Sequence, residues 1–365
     1  MKVLMLVNWK VKYTSDIPKD IQSPDYYTSN EKYWFFKHFK DDIDVDVIDI
    51  SSNKVFEKFE RNVLHFYIIQ AFKAIRKMKK YDVIISHGMP SGILIALYRR
   101  IFGKNGKKHI VFDIGAFNSA KETGKILKLN QFASKSIDGI IYHESEQIEY
   151  YKKCFPWLVE KSKFIPFGTD IDYFERDISN DKIEKSEEDY ILSIGYNFRD
   201  NDTLIAAYKK ANINYKLRII GSTNEYKEED NIQYYPPIDK RKLNNQIQCA
   251  KFCVLPLEYK NFSFGQMTLL QQMYYSKAVI TANVPSVRDY VQDEKTAVLY
   301  KSQDIEDLKN KIELLKDEQK TKIIGENAKK MVIDKFNEKN MALEIEKFIK
   351  NIVEGEIKWL IMAWK

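Results

Sequence analysis

The chain has 365 residues, 44% of them apolar and 13% aromatic; this excludes a disordered tail, exceeds one ordinary core and fits two α/β domains. No apolar run approaches the ~18–20 residues of a spanning helix, the N-terminus lacks the apolar segment and cleavage site of a secretory signal, and cytoplasm is the expected compartment. The net charge of +7 sits mainly in residues 1–170, where about 28 Lys and Arg face about 20 acids. That balance leaves two readings open, a basic surface for anionic lipid or ordinary solvated lysines. With charge alone behind it and no nucleic-acid motif, a nucleic-acid partner is not expected.

Residues 2–7 form a buried-type apolar run ending at Asn8-Trp9, as the first strand of a doubly wound sheet should. A polar loop with Pro18 and Pro24 follows, then a helix over 31–39 and an alternating strand over 43–50. That strand carries Asp44-x-Asp46, a spacing used for metals elsewhere. The alternation with Val45 and Val47 instead puts the acids on one solvated face. Cys154, Cys249 and Cys253 have no metal-ligand or disulfide spacing, and no metal is expected.

A helix over 62–80 places Leu64, Tyr67, Ile68, Phe72, Ile75 and Met78 near helical spacing, with Lys73, Arg76, Lys77, Lys79 and Lys80 towards its end. Arg99, Arg100, Lys104, Lys107 and Lys108 form a second basic cluster. Two such clusters in one domain keep peripheral contact with an anionic membrane open. Strands over 82–86, 109–112 and 139–142 end at His87, Asp113 with Asn118 beyond it, and His143. In an open parallel sheet the ligand cleft lies at the carboxyl ends of the strands, which gathers Asn8, His87, Asp113, Asn118 and His143 there. Residues 172–188 are charged, break the apolar pattern and read as an interdomain linker.

The second half begins again with a strand over 190–194 and Gly195-Tyr196-Asn197-Phe198-Arg199. Gly195 permits close backbone approach, and Arg199 can pair with phosphate oxygens bidentately. In Asp200-x-Asp202, Asp202 reads more simply as a helix N-cap or first-turn acid. Strands over 215–220 and 251–255 precede residues 261–290, NFSFGQMTLLQQMYYSKAVITANVPSVRDY. There a small-residue turn at 263–265 opens a helix over 266–275, followed by the strand 278–281 and a polar loop with Pro285. A helix starting after a glycine presents unpaired N–H groups and a positive dipole end, which suits a phosphate.

Tandem β-α domains with this second-half unit resemble the GT-B glycosyltransferases, and most closely retaining family 4. That family carries a run like E-G-F-G-L-P-L-L-E-A-M. Here Ser263 and Gln271 occupy the positions of its two glutamates, and SFGQMTLLQQM is closer to a branch with S-x-G-Q-x-x-L-L-Q. VFDIGAFN puts Asp113 where many members have a histidine near the reaction centre. The resemblance implies an α/β fold of two Rossmann-like doubly wound domains facing across a cleft. The expected division is an acceptor-side domain 1–171, a linker 172–188, a nucleotide-sugar domain 189–340, and C-terminal helices 341–365 crossing back. It implies transfer of a sugar, expected to be a hexose, from a UDP- or GDP-linked donor to a glycan or lipid-linked acceptor in cell-surface polysaccharide or glycoconjugate synthesis, without metal or further cofactor. Donor-side residues are then Gly195, Arg199, Ser263, Gly265, Gln266, Met267, Thr268 and Gln271. Asp113 and His87 are the candidates to orient or deprotonate the acceptor hydroxyl, with Asn8, Asn118 and His143 on the acceptor side. An amide at 271 can hold ribose hydroxyls as an acid would, whereas Ser263 leaves the sugar open. The missing carboxylates motivate a second reading, a non-catalytic nucleotide-sugar binder or partner subunit.

Overall fold

Val3–Leu6 and Val83–Ile85 are apolar at every position, as strands covered on both faces require. In the computed structural model, which describes all residues but 52–53, 65, 116–121, 181–187, 196, 222–230, 261 and 356–365, they pair in parallel inside a six-stranded sheet. From one edge its order is Asp44–Ile48, Lys2–Leu6, Val83–His87, Lys108–Asp113, Gly139–Tyr142 and Ser162–Phe164. The chain order reverses between the second and third of these. A second parallel sheet repeats the plan: Ile232–Tyr235, Lys216–Ile220, Tyr190–Ile194, Cys253–Leu255, Val279–Ala282 and Val298–Tyr300. Its reversal lies between Tyr190–Ile194 and Cys253–Leu255. Ligands of open α/β sheets bind beyond the strand ends at such switch points.

Alternation along Val3–Leu6 divides the first domain into two layers. Val3 and Met5 pack with Phe35, Phe36 and the final helix Glu338–Glu354. Leu4 and Leu6 face helix Ile68–Lys77, and the neighbouring helices Met89–Phe102 and Lys125–Ser134 complete that layer. The final helix follows the second domain in sequence, yet Met341, Ala342, Ile345, Phe348, Ile349 and Ile352 are buried in the core of the first. Their spacing gives one apolar face about 100° wide, which ties the two domains together.

Several local expectations change. Residues 172–180 are not an open linker: Ile171–Asn180 is helical, and Tyr173 and Phe174 lie in the second core. Two buried aromatics outweigh the surrounding charge, and residues 181–187 of the expected linker lie outside the described residues. The helix expected over 62–80 is a π-helical turn, Glu60–Leu64, followed by Ile68–Lys77. Pro285 opens a helical turn, Pro285–Arg288, where a loop was expected, because proline suits the first helical position. Asp44 pairs with Lys2 at 3.7 Å, and Asp46 accepts from the Tyr81 hydroxyl. Both acids are on the solvated face of their strand.

Candidate functional site

Tyr190–Ile194 ends at the switch point of the second sheet, and Gly195 there has φ +108. A Cβ on Gly195 would stand 2.7 Å from Nη2 of Arg199, so only glycine lets the guanidinium lie across the strand end. Arg199 donates through Nε to the Ile194 carbonyl at 3.0 Å and through Nη1 to the Asn197 carbonyl at 2.9 Å. Its Nη2 reaches the Thr268 hydroxyl at 3.5 Å. A bridge to Leu257 fixes the loop. Burial lowers the guanidinium to about 10, which keeps it charged at neutral pH. Among the described residues no carboxylate pairs with it.

Thr268 belongs to the first turn of helix Gln266–Tyr274, whose N-cap, Gly265, has φ +82 and supplies no side-chain cap. The positive end of the helix dipole and a buried cation therefore converge on one point. Two like-signed fields in one place are unfavourable unless an anion lies between them. Met267 is exposed there. The Ser263 hydroxyl is buried with no hydrogen-bond partner among the described residues.

Gln266 takes another role. Its amide is buried and donates to the Ser286 carbonyl at 2.8 Å. It straps the helix start to Pro285–Arg288 through one of its two amide N–H groups. Gln271, in the next turn, donates to Asn244 Oδ1 at 2.6 Å. Its own carbonyl oxygen remains as an acceptor.

Across from this edge, Val83–His87 and Lys108–Asp113 end side by side. His87 sits among Trp9, Trp34 and Phe112, with ring centroids 4.7, 5.5 and 5.8 Å away. Burial first, and His143 second, lower it to about 3, so it is a neutral imidazole. Its Nδ1 has no partner among the described residues. His143 is also neutral, lowered to about 4 by burial. Its Nδ1 is 2.7 Å from the Ile165 carbonyl, and this contact places the proton on Nδ1 and leaves Nε2 as acceptor. Asn8 lies beside Gly88. Asn118 lies outside the described residues.

Asp113 does not have the geometry of a base. It is fully buried; Oδ2 accepts from Gln147 at 2.6 Å and from the Tyr151 hydroxyl at 2.7 Å, and Oδ1 accepts from the Gly115 N–H at 3.1 Å. It positions the turn at Gly115. A Cβ on Gly115 would stand 3.0 Å from the Phe262 ring, so here the two domains touch across the cleft.

Further contacts join the domains, and sequence reasoning missed them. Asp289 accepts from the backbone N–H and the hydroxyl of Ser145, both at 2.7 Å. Arg288 pairs with Glu146 at 2.7 Å. The Tyr290 hydroxyl donates to the His143 carbonyl at 2.6 Å and accepts from the Phe167 N–H at 2.8 Å. Inside this seam Glu144 is buried and raised to about 8 by burial, then by Glu146 and Asp289. Its Oε2 has no hydrogen-bond partner among the described residues. An acid directly following a strand-end histidine was the available signal, and it read as a helix-start residue.

Residues 175–331, which hold the Arg199 and Gln266 elements, match the family model Glycosyl transferases group 1. No curated protein sequence matches the chain. Sucrose-phosphate synthase from Thermosynechococcus elongatus superposes with a TM-score of 0.68 at 16% identity, covering 97% of this chain and 100% of its own. HepE from Anabaena in complex with UDP gives 0.65 at 14% identity, covering 96% and 100%. The fold is GT-B. The lipopolysaccharide outer core galactosyltransferase WaaB, in its apo form, shares it at a TM-score of 0.58 and 15% identity, covering 98% of this chain and all of its own. In GT-B terms Arg199 and the Gln266 helix lie on the C-terminal side of the cleft, and His87 and His143 on the N-terminal side.

Proposed function

We propose that the chain transfers a sugar from a nucleotide-diphosphate sugar to an acceptor hydroxyl held by the first domain. One observation carries this reading: Arg199, without a carboxylate partner among the described residues, shares the uncapped start of the Gln266 helix at a switch point. A diphosphate supplies the missing negative charge. As the bond from the sugar's anomeric carbon to the diphosphate oxygen breaks, charge grows on the phosphate, and fixed donors aimed there stabilise it. The acceptor oxygen forms the new bond and its proton passes to the departing diphosphate oxygen, with His87 as hydrogen-bond partner of that hydroxyl. Gln271 offers its amide oxygen to a ribose hydroxyl. Family likeness favours retention of configuration, and the charge arrangement gives the diphosphate a partner without a metal. UDP is the first nucleotide to test, since HepE carries it.

The acceptor is read as a glycan or a lipid-linked glycan. Family likeness supports a hexose as the transferred group and cell-surface polysaccharide or glycoconjugate synthesis as the setting. A non-catalytic binder remains the second reading, favoured by the full occupancy of Asp113. Thermal shift with UDP, GDP and their hexose conjugates tests the first step, because a ligand of the folded state raises the melting temperature by mass action. A shift with one nucleotide family is expected, and none with any of them sinks the reading. Turnover of the sugar that binds, against glycan and lipid acceptors, separates enzyme from binder.

A further inference from the structure

Ten of the twenty large apolar side chains exposed among the described residues fall between Phe56 and Phe132. Seven of these ten lie on helices Ile68–Lys77, Met89–Phe102 and Lys125–Ser134, which pack side by side on one face of the first sheet. The apolar stripe expected to face the core from the first of these helices is divided. Ala71, Ala74 and Met78 are buried, while Phe72 is 58% exposed. Helix Lys125–Ser134 buries Leu127 and Ala133 and turns Ile126, Leu129 and Phe132 outward, a second stripe at three-residue spacing. Ile101 and Phe102 extend the patch at the end of the middle helix.

Along the three helices its charge has a single sign, and Glu122, just ahead of the last of them, is paired with Lys153. None of the three helices contains an acidic residue, in a chain with 52 Asp and Glu. Arg76 lies 5.4 Å over the Phe72 ring and Arg100 5.4 Å over the Phe132 ring, so cations stand beside the exposed aromatics. Arg99 does not belong to this surface. It is buried, bonded to Asp138 at 2.6 Å, and the second basic cluster is smaller than its sequence suggests.

We propose that this three-helix face docks on an anionic lipid bilayer. Exposed aliphatic and aromatic groups need hydrocarbon, and an uninterrupted basic field needs negative headgroups; an anionic bilayer offers both in one plane. Nucleic acid would leave the aliphatic stripe in water. The helix beginning at Met89 starts directly behind Gly88 at the cleft edge, so a docked face holds the cleft near the headgroups. This consequence, an acceptor presented from the bilayer, rests on the transferase reading; the docking itself does not.

The test is flotation of the full chain with vesicles of phosphatidylcholine alone and of phosphatidylcholine mixed with phosphatidylglycerol. Binding to the mixed vesicles only, falling with salt, is expected. Lys125→Gln and Lys128→Gln should each lower partitioning about fivefold, and Ile126→Ser with Phe132→Ser should lower it further. These variants should keep the wild-type melting temperature and nucleotide shift. No flotation with mixed vesicles, or equal flotation of the variants, overturns the proposal. So does concentration-dependent self-association that the Ile126→Ser, Phe132→Ser pair abolishes, which would make the face an interface between copies. If vesicles bind and no nucleotide does, the transferase reading fails and the docking surface stands.

Discussion

Arg199→Lys separates a phosphate ligand from a structural arginine. A guanidinium has five N–H donors, and three of them are directed at Ile194, Asn197 and Thr268. Two N–H groups, one on each terminal nitrogen, remain for a pair of phosphate oxygens. Lysine keeps the charge and loses the fork. A hydrogen bond to a charged group contributes about 1.5–3 kcal/mol, and losing one raises Kd roughly 10- to 150-fold. Calorimetric titration should therefore show UDP, or GDP if that is the nucleotide bound, weakening by at least tenfold. The matching nucleoside, which has no phosphate, should bind unchanged. A denaturant melt of the same variant should move by less than the binding energy does. A diphosphate Kd within twofold of wild type, or equal losses for diphosphate and nucleoside, would refute the placement of Arg199 beside the phosphates.

Glu144→Gln should alter stability through pH. The folded carboxyl is raised from 4.5 to about 8, so the folded state binds that proton more tightly than the unfolded chain does. The resulting stabilisation is complete below the ordinary carboxyl range and is lost as pH rises towards about 8, at up to about 1.4 kcal/mol per pH unit. Glutamine removes this slope, so the variant should be less pH-sensitive and more stable than wild type at pH 9; parallel stability profiles would show that the carboxyl is not held protonated. Gln271→Ala should weaken the nucleotide about tenfold if the amide holds a ribose hydroxyl, and the corresponding 2′-deoxynucleotide should then lose less than the ribonucleotide, as isothermal titration of both would show.

The sheets were legible because their strands are short apolar runs, and both switch points follow from strand order. Gly195 and Gly265 have a local backbone reason to be glycine, a positive φ that needs no distant partner. Asp113 and Gln266 have no such local reason. Their roles depend on partners far along the chain, Gln147 and Tyr151 for one and Ser286 for the other, and no periodicity carries that information. The helix over 171–180 is hidden in the sequence for a related reason. Tyr173 and Phe174 are two apolar residues in a charged stretch, and only the second core they enter shows that they outweigh it.

The buried strap at Gln266 links the two halves of the cleft. From the start of the anion-binding helix it reaches Ser286, two residues before Arg288, which holds Glu146, and three before Asp289, which holds Ser145. Tyr290 then meets the carbonyl of His143, whose imidazole belongs to the opposite wall. The glutamine side chain at the helix start is therefore continuous, through one helical turn, with the groups that contact Ser145, Glu146 and the His143 carbonyl. Glu144 is enclosed in this seam beside Glu146 and Asp289, where burial raises its carboxyl to about 8.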